Sequence, residues 1–242
     1  FYLDQLNGVY GRRLKHLIVN GGGDPNANKH NGLYLSIVAD SIFQDVNLHA
    51  LCDQLYMTYC SSNDFEQVYL GGTSGAATHG ALYMYGSKAN FFKGLRIDHC
   101  EQHFIYMDGD VVDPCRWNKL HEVLCTDVQG TTNTQDALLL NDRCQYNDFE
   151  LSAWGRSLTT KDFRYIANEV GANNDYNEFK IKNAVNYATG LVNLVGSHSH
   201  ARGHLLENKF WSTGTGAQQS LPHGCAFTPT KSEVLLSERD TG

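Results

Sequence analysis

The chain has 242 residues with a net charge of −7, and it contains 23 glycines but only 4 prolines. This length is enough for one large domain with a substantial core. The acidic balance argues against nucleic acid as a partner, and the lack of a run of about 18 apolar residues argues against a membrane span.

The first 20 residues mix apolar and basic positions, which predicts an N-terminal cap or an incomplete first coil over residues 1–20. Leu17-Ile18-Val19 has the composition of a strand, and Gly21-Gly22-Gly23 ends it. The chain begins with Phe1 and shows no apolar signal-peptide core, so we expect a fragment or a processed chain.

From Gly32 onward a short motif of the form apolar–Tyr–apolar recurs, and we call its copies the tyrosine strands. The clear copies are Leu33-Tyr34-Leu35, Leu55-Tyr56-Met57, Leu82-Tyr83-Met84 and Ile105-Tyr106-Met107. Weaker copies are Leu138-Leu139-Leu140, Arg164-Tyr165-Ile166 and Leu191-Val192-Asn193. Their centres are 22 to 33 residues apart. Self-similarity at this period predicts a solenoid or another repeat array.

A second strand type alternates with the first, and we call its copies the phenylalanine strands. Each is expected to begin with an aromatic residue: Phe43, Phe65, Phe92, Trp117, Phe149, Phe179 and Phe210. Two residues earlier stands a small residue, usually Asn: Ser41, Asn63, Asn90, Cys115, Asn147, Asn177 and Asn208. Because Asn tolerates the left-handed conformation, stacked copies predict a ladder of side-chain amides at the turns.

Two alternating short strand types, with no helical period of 3.6 between them, predict an all-β fold. The specific expectation is a right-handed parallel β-helix, a single-stranded solenoid of about seven coils, over residues 21–212. Residues 213–242 lack the repeat, so we expect a C-terminal cap or tail there, or a segment that packs on a neighbour in a multimer.

Seven cysteines without a CxxC pair or zinc spacing favour buried free thiols in a chain made in a reducing compartment. One or two disulfides remain an alternative.

The coil period, the Asn-x-Phe turns and the opening Ile18-Val19-Asn20-Gly21 resemble the pectate-lyase-like superfamily of right-handed β-helices, over roughly Leu17 to Ser212. Leu95-Arg96-Ile97-Asp98-His99 is similar to the Trp-Ile-Asp-His stretch of calcium-dependent pectate lyases, but the Trp and the downstream Arg-x-Pro-x-x-Arg pattern are missing. Lyase activity therefore does not carry over.

Within that superfamily, the chain most resembles bacteriophage tailspikes and polysaccharide depolymerases, because it has the repeat pattern without catalytic motifs. This resemblance implies a polysaccharide partner, a homotrimer, and a place in a virion tail or an extracellular assembly. It implies no cofactor, apart from a divalent cation such as calcium as an option.

Alternation along each tyrosine strand places Leu and Met inward and the central tyrosine outward. The tyrosines are therefore expected to form an exposed row, with Tyr165 further along. A tyrosine row beside polar groups is typical of a sugar platform, whereas the alternative is a row covered by a loop or a neighbouring subunit. The candidate substrate-binding residues are Tyr56, Tyr83, Tyr85, Tyr106 and Asp136.

Acidic and cationic residues flank this row. The residues that precede the tyrosine strands along the chain include Asp53, His79, His103 and Asp136. Hydrolysis of a glycosidic bond needs two carboxylates, whereas a lyase needs a base and a cation. The candidate catalytic residues for either chemistry are His103, Asp108, Asp110, Asp142 and Arg143. The alternative is that these residues only end strands in turns.

The stretch from Ser197 to His204 is the densest polar cluster. If it is extended, His198, His200, Arg202 and His204 share one face, which suits either a metal or anion site or a solvated loop. Three functions remain open from the sequence: an enzyme that cleaves polysaccharide, a binding protein without activity, and a structural shaft whose tyrosine row is buried between subunits.

Overall fold

The computed structural model places 18 β-strands and no helix in the part of the chain that it describes. The described residues are 6–7, 10–20, 32–49, 53–72, 79–126, 128, 134–155, 163–185 and 187–203. The Gly-rich turn at 21–23, Asn208, Phe210, His204 and the cap or tail expected at 213–242 lie outside the described residues.

The strands are short, as the spacing of Gly, Asn and Asp predicts. In chain order they are β1 (Leu6–Asn7), β2 (Arg13–Asn20), β3 (Leu33–Ser36), β4 (Ile42–His49), β5 (Leu55–Thr58), β6 (Asp64–Gly71), β7 (Gly80–Tyr85), β8 (Phe91–Asp98), β9 (His103–Asp108), β10 (Cys115–Arg116), β11 (Lys119–Thr126), β12 (Leu138–Leu140), β13 (Cys144–Gln145), β14 (Asp148–Trp154), β15 (Phe163–Glu169), β16 (Glu178–Val185), β17 (Tyr187–Asn193) and β18 (His200–Gly203).

Along the chain the strands alternate between two parallel sheets. The tyrosine sheet contains β1, β3, β5, β7, β9, β12, β15 and β17 in that spatial order, and the phenylalanine sheet contains β2, β4, β6, β8, β11, β14, β16 and β18. A short third sheet pairs β10 with β13. Each strand therefore lies between the preceding and following copies of its own type, which is the stacking expected of a parallel solenoid. The prediction of an all-β fold with parallel strands is confirmed.

In the tyrosine strands, the residues on either side of the centre form two apolar ladders. The register joins Leu33 to Leu55 and Leu35 to Met57, and the following strands continue both ladders. The fully buried members are Leu33, Leu35, Leu55, Met57, Leu82, Met84, Ile105, Met107, Leu138 and Leu140. Burying each such side chain contributes about 1.5–3 kcal/mol, so these ladders are a main source of stability. The predicted inward orientation of Leu and Met is confirmed.

The phenylalanine strands carry a stack of aromatic rings in the same core. The ring centroids of Phe43 and Phe65 are 4.6 Å apart, and those of Phe65 and Phe92 are 4.2 Å apart. The next buried residue after Phe43 is Val46, three positions later, because Asp45 between them has a φ of 55° and adds one residue to the strand. This extra residue acts as a bulge that returns the chain to the core side.

The fourth phenylalanine strand differs from its expected register. Leu120, and not Trp117, pairs with the ring position of the preceding strand, whereas Trp117 is 49% exposed. Asn118 likewise occupies the amide position that was assigned to Cys115. The expectation was wrong because leucine replaces the aromatic residue in this strand, and the tryptophan in the turn before it has the spacing of a ring position.

The last described phenylalanine strand differs in the same way. Ala201 of β18 pairs with the phenylalanine of β16, and Ser199 Oγ accepts a hydrogen bond from the Asn177 N–H at 3.3 Å. The positions expected at Phe210 and Asn208 are therefore filled by Ala201 and Ser199. Ala201 and Ser199 are small and lack the Asn-x-Phe pattern, so the sequence pattern did not identify this strand.

A buried ladder of side-chain amides links the turns, as predicted. The amide Nδ2-to-Oδ1 distances are 2.9, 3.0, 3.1 and 3.0 Å along Asn63, Asn90, Asn118, Asn147 and Asn177. Each amide also donates to a backbone carbonyl, as Asn118 does to Ser87 at 2.9 Å. Because a buried amide needs all its partners, this ladder fixes the register of the stacked turns.

The thiols belong to the core. The described cysteines that are free and buried are Cys60, Cys100, Cys115, Cys125 and Cys144. Burial raises the pKa of Cys60 to about 11, so its thiol is unreactive at neutral pH. The prediction of buried free thiols is confirmed for these five. Within the described ranges, no helix has the length and apolar character to cross a membrane.

Candidate functional site

The outward residues of the tyrosine strands form a row across their sheet. In spatial order the row contains Tyr34, Tyr56, Tyr83, Tyr106, Leu139, Asn168 and Asn193. Tyr165 was expected in this row but lies three residues before it, because Asn168 is the residue that pairs with Leu139. Val192, the centre of the last weak copy of the motif, pairs with Ala167, and Asn193 continues the row. Four tyrosines in adjacent strands therefore form the continuous part of the row.

The tyrosine rings pack against one another. The centroids of Tyr34 and Tyr56 are 5.0 Å apart, those of Tyr56 and Tyr83 are 4.6 Å apart, and those of Tyr83 and Tyr106 are 5.6 Å apart. The planes of Tyr34 and Tyr56 are 18° apart, so these two rings stack, whereas the other two pairs are tilted by 44°. The expectation of an exposed row is wrong at Tyr83, which is only 6% exposed, whereas Tyr56 and Tyr106 are half-buried.

Burial raises the pKa of these three central tyrosines, with a smaller contribution from neighbouring phenol and carboxyl groups. Their hydroxyl groups are therefore protonated over the whole physiological range. A protonated phenol both donates and accepts hydrogen bonds, which is what recognition of a hydroxyl-rich ligand requires.

His79 covers the most buried tyrosine. Its ring centroid lies 3.9 Å from that of Tyr83, with 24° between the ring planes. Asp53 fixes the imidazole: its carboxylate accepts from His79 Nδ1 at 3.0 Å and from the N–H groups of His79 and Gly80 at 3.1 and 3.0 Å. Burial alone would raise the pKa of Asp53, but these hydrogen bonds outweigh it and lower the pKa. A Cβ at Gly80 would lie 2.3 Å from the His103 carbonyl oxygen, so only glycine fits there.

A second buried carboxylate organises the next part of this edge. Asp136 is 0% exposed and accepts hydrogen bonds from Arg164 Nε at 3.0 Å, Asn168 Nδ2 at 2.9 Å and the Tyr165 N–H at 3.2 Å. Its own N–H donates to His103 Nδ1 at 3.0 Å. Burial lowers the pKa of His103, so the ring is neutral and carries its proton on Nε2.

The other edge of the tyrosine sheet carries a tyrosine–carboxylate pair. Tyr85 donates its hydroxyl hydrogen to Asp110 Oδ2 at 2.6 Å. Asp110 Oδ1 accepts the N–H groups of Val112 and Asp113 at 2.8 and 2.7 Å. The bond from Tyr85, followed by these two backbone bonds, lowers the pKa of Asp110. The Asp110 carboxylate is therefore ionised even in mild acid.

Asp108 lies beside Tyr85 in the same sheet register, and its environment acts in the opposite direction. Burial raises the pKa of Asp108, and the charge of Asp142 adds to that effect. The hydrogen bonds that it accepts from Asn141 Nδ2 at 3.2 Å and from the Gly109 N–H at 2.9 Å oppose the rise without cancelling it. Two neighbouring carboxyl groups thus have pKa values that are shifted apart.

Asp142 and Arg143 complete this acidic edge. Arg143 Nε lies 3.8 Å from Asp142 Oδ2, and Asn173 Nδ2 donates to Asp142 Oδ1 at 2.9 Å. The charge of Arg143 contributes to the lowered pKa of Asp110. Arg143 therefore acts on the same group of carboxylates that it was predicted to join.

The structure thus divides the predicted residues between the two ends of the tyrosine strands. Tyr85, Asp108 and Asp110, with Asp142 and Arg143, lie where these strands end, whereas His103 and Asp136 lie where they begin. The tyrosine row runs between these two groups. Asp53 and His79 were named as neighbours of the row but not as catalytic or binding candidates, and Arg164 was missed as a functional residue. Arg164 was assigned to the strand motif itself, which hid its role as partner of Asp136.

The histidine-rich stretch finds its acidic partners across the stacked turns. His198 Nδ1 lies 2.9 Å from Asp175 Oδ2, and Arg202 Nη2 lies 3.6 Å from Glu178 Oε2. Within the described ranges, no group of three or more His, Cys, Asp or Glu side chains is arranged to hold a metal ion.

Comparison with family models, with curated proteins and with solved structures finds no match for this chain.

Proposed function

We propose that this protein is a right-handed parallel β-helix of about seven coils that binds an extended polysaccharide along its tyrosine sheet. The observation that carries the proposal is the continuous row of four tyrosines in register and in ring contact, which runs along the stacking axis and is flanked at both ends of its strands by ordered polar groups. Neighbouring strands lie about 4.8 Å apart, so the row spans about 14 Å. A site of this length and shape favours a chain molecule over a compact ligand.

The chemistry of the row supports a sugar ligand. The tyrosine rings supply apolar surface, and protonated hydroxyl groups supply donors and acceptors. Tyrosine is also a rigid contact residue, because only two side-chain angles must be fixed on binding. The neutral His103 adds an Nε2–H donor beside Tyr106, whose ring centroid lies 5.9 Å away.

Hydrolysis of the bound chain is the second function that we propose, and the opposed pKa shifts of Asp108 and Asp110 favour it. A carboxyl group with a raised pKa suits a general acid, and a neighbouring carboxylate with a lowered pKa suits a base or nucleophile. In this role Asp108 protonates the glycosidic oxygen. Asp110 then activates water or attacks the anomeric carbon.

The resemblance to the pectate-lyase-like superfamily and to tailspike depolymerases belongs to the same proposal. It adds a homotrimer in a virion tail or an extracellular assembly. A structural shaft is the competing function, and it requires the tyrosine row to be buried between subunits.

Binding is tested with purified protein and a panel of bacterial capsular and O-antigen polysaccharides, measured by affinity electrophoresis. The double variant Tyr56→Phe/Tyr106→Phe keeps the ring stack and removes two hydroxyl groups, so affinity is expected to fall about ten-fold. Tyr10→Phe is the matched control, since Tyr10 is exposed and outside the row. Absence of binding to every polymer, together with a subunit interface mapped onto the row, would establish the shaft instead.

Cleavage is tested on any polymer that binds, by the release of reducing ends. Asp108→Asn and Asp110→Asn are each expected to lower the rate about 10²- to 10⁴-fold while binding persists. Release of unsaturated products, detected by their ultraviolet absorbance, would overturn hydrolysis in favour of a lyase.

A further inference from the structure

An exposed line of aromatic side chains lies away from the tyrosine sheet, on the turns that precede the amide ladder. It consists of Trp117, Tyr146, Tyr176 and His198, and we call it the aromatic ridge. Each member stands immediately before a buried ladder residue, namely Asn118, Asn147, Asn177 or Ser199. The first three are 49%, 47% and 44% exposed. No residue of the ridge belongs to the buried core, to the tyrosine row or to the acidic edge.

The backbone of the ridge is unfavourable for large side chains. Trp117, Tyr146 and Tyr176 have φ values of 58°, 55° and 56°, in the left-handed region where a bulky residue is an outlier. The equivalent turn positions of earlier repeats carry the small residues Ser62 and Ala89 at a φ of 54°. The fold therefore requires this conformation but does not require an aromatic residue. Local strain that the fold does not need points to a function.

The ridge is ordered before any ligand arrives. The rings of Tyr146 and Tyr176 are 4.7 Å apart and within 6° of parallel, and those of Tyr176 and His198 are 4.4 Å apart and within 2°. Asp175 fixes the imidazole by accepting the His198 N–H at 2.7 Å and by contacting Nδ1 at 2.9 Å. A preformed surface loses little entropy on binding.

A cation completes one end of the ridge. The Arg116 guanidinium lies 4.2 Å from the Trp117 ring centroid. Lys88 occupies the same turn position one repeat earlier and forms an ion pair with Asp113 at 3.0 Å. Among the described residues, no carboxylate forms an ion pair with Arg116. An unpaired guanidinium beside an aromatic face is a site for a planar anion such as a carboxylate.

We propose that the aromatic ridge and Arg116 form a second, non-catalytic binding site for an acidic polysaccharide, with a sugar carboxylate at Arg116 and sugar hydroxyls along the tyrosine edges. This inference rests on the proposed function, since it names acidic sugars as the ligand class and adds a site to the tyrosine sheet. The ridge is one residue wide, whereas a stable contact between two copies needs about 800 Å² on each partner. A slender chain fits such a surface better than a second subunit does.

The experiment uses a full chain in which Trp117 is the sole tryptophan, obtained by Trp154→Phe and Trp211→Phe. The protein is titrated with polygalacturonate, alginate and hyaluronan, and separately with the carboxyl-reduced form of each polymer. Each titration is followed by Trp117 fluorescence emission and by calorimetry. An acidic polymer is expected to change the emission and its reduced form is not. In this background Arg116→Gln should weaken the emission-detected affinity at least about ten-fold, and Tyr146→Ala/Tyr176→Ala should do the same.

These variants are chosen so that the protein folds. In the next repeat, the residue that pairs with Arg116 is a glutamine, Gln145. In an earlier repeat, the turn position that corresponds to the ridge is an alanine, Ala89. Calorimetric binding without any change in Trp117 emission would overturn the ridge and leave the proposed function standing. Equal affinity for carboxyl-reduced polymers would overturn the acidic ligand. A change of oligomeric state in the ridge variants, with binding unaltered, would make the ridge a subunit interface and overturn the proposal.

Discussion

At the scale of single residues, the two carboxyl groups at the acidic edge define how activity should depend on pH. The acid Asp108 must be protonated and has a raised pKa, whereas the base Asp110 must be ionised and has a lowered pKa. The rate of hydrolysis should therefore rise as the pH increases through the pKa of Asp110 and fall as it passes that of Asp108.

Tyr85→Phe removes the hydrogen bond that lowers the pKa of Asp110 most, so the rising limb of the pH–rate profile should move to higher pH. Tyr59→Phe, in a neighbouring ring that makes no such bond, is the control. A rising limb that stays in place in Tyr85→Phe would contradict the assignment of Asp110.

The buried carboxylate of Asp53 makes a prediction about stability. Asp53→Asn weakens its contact with His79, which should lower the free energy of unfolding by about 2 kcal/mol at pH 7. Because the folded-state pKa of Asp53 is lowered, this stability is fully present above the unfolded-state pKa of about 3.9 and is lost as the pH falls through the folded-state value. Urea unfolding should therefore separate the variant from the wild type at pH 7 and much less in strong acid. Asp40→Asn, at an exposed turn position, should unfold like the wild type at both pH values.

At the scale of elements, the amide ladder holds consecutive turns in register. Asn118 donates to Ser87 O and to Asn147 Oδ1, and its own Oδ1 accepts from Asn90 Nδ2 and from the Asn90 N–H. Asn118→Ala leaves several buried groups without partners and should lower the free energy of unfolding by about 3 kcal/mol, measured by urea denaturation. Asn173→Ala, which removes an exposed amide, should change it by less than about 0.5 kcal/mol. Equal effects of the two substitutions would show that the ladder does not stabilise the stack.

The sequence predicts most of the strands, but it misplaces the ring positions of two phenylalanine strands, β11 and β18. Strand type and order follow from repeated Leu–Tyr–Met and Asn-x-Phe signals, because stacked positions need similar residues. Leu120 and Ala201 lack the aromatic signal, so the nearby Trp117 and Phe210 were assigned in their place. The bulge in β2, β4, β6, β8 and β11 depends on a left-handed residue that can be His, Asp, Gln, Gly or Glu, and no single residue type marks it.

The candidate site was harder to predict than the strands for a related reason. The row of Tyr56, Tyr83 and Tyr106 follows directly from alternation, and its register is confirmed. The ring packing and the covering of Tyr83 by His79 depend on side-chain contacts between different repeats. Such contacts leave no periodic pattern in the sequence, so burial at Tyr83 could not be derived from it.

At the scale of the whole molecule, a stack of repeats should lose structure one end at a time, because each repeat contacts only its neighbours. The far end is held by Glu169, a 0% exposed carboxylate in a ladder position that is leucine in β12. Its Oε1 accepts from Asn177 Nδ2 at 2.9 Å and from Ser199 Oγ at 2.8 Å, and its Oε2 accepts the N–H groups of Val195 and Gly196 at 2.9 Å each. One inward carboxylate thus replaces an apolar contact with four hydrogen bonds, one to Asn177 of its own repeat and three to the last described repeat.

Glu169→Gln should open that repeat without unfolding the rest. A glutamine keeps one acceptor oxygen, but its NH₂ group then faces donors, either the two backbone N–H groups or the Asn177 amide and Ser199 hydroxyl, and a buried donor without an acceptor costs about 1–3 kcal/mol. Hydrogen exchange should accelerate about ten-fold or more in β17 and β18 and remain unchanged in β4 to β8, because the loss is local to the last repeats. Glu66→Gln, an exposed position in β6, is the matched control and should leave both regions as they are. Uniform acceleration in Glu169→Gln across all strands would mean that the stack unfolds as one cooperative unit and that Glu169 holds the whole molecule together, not its end.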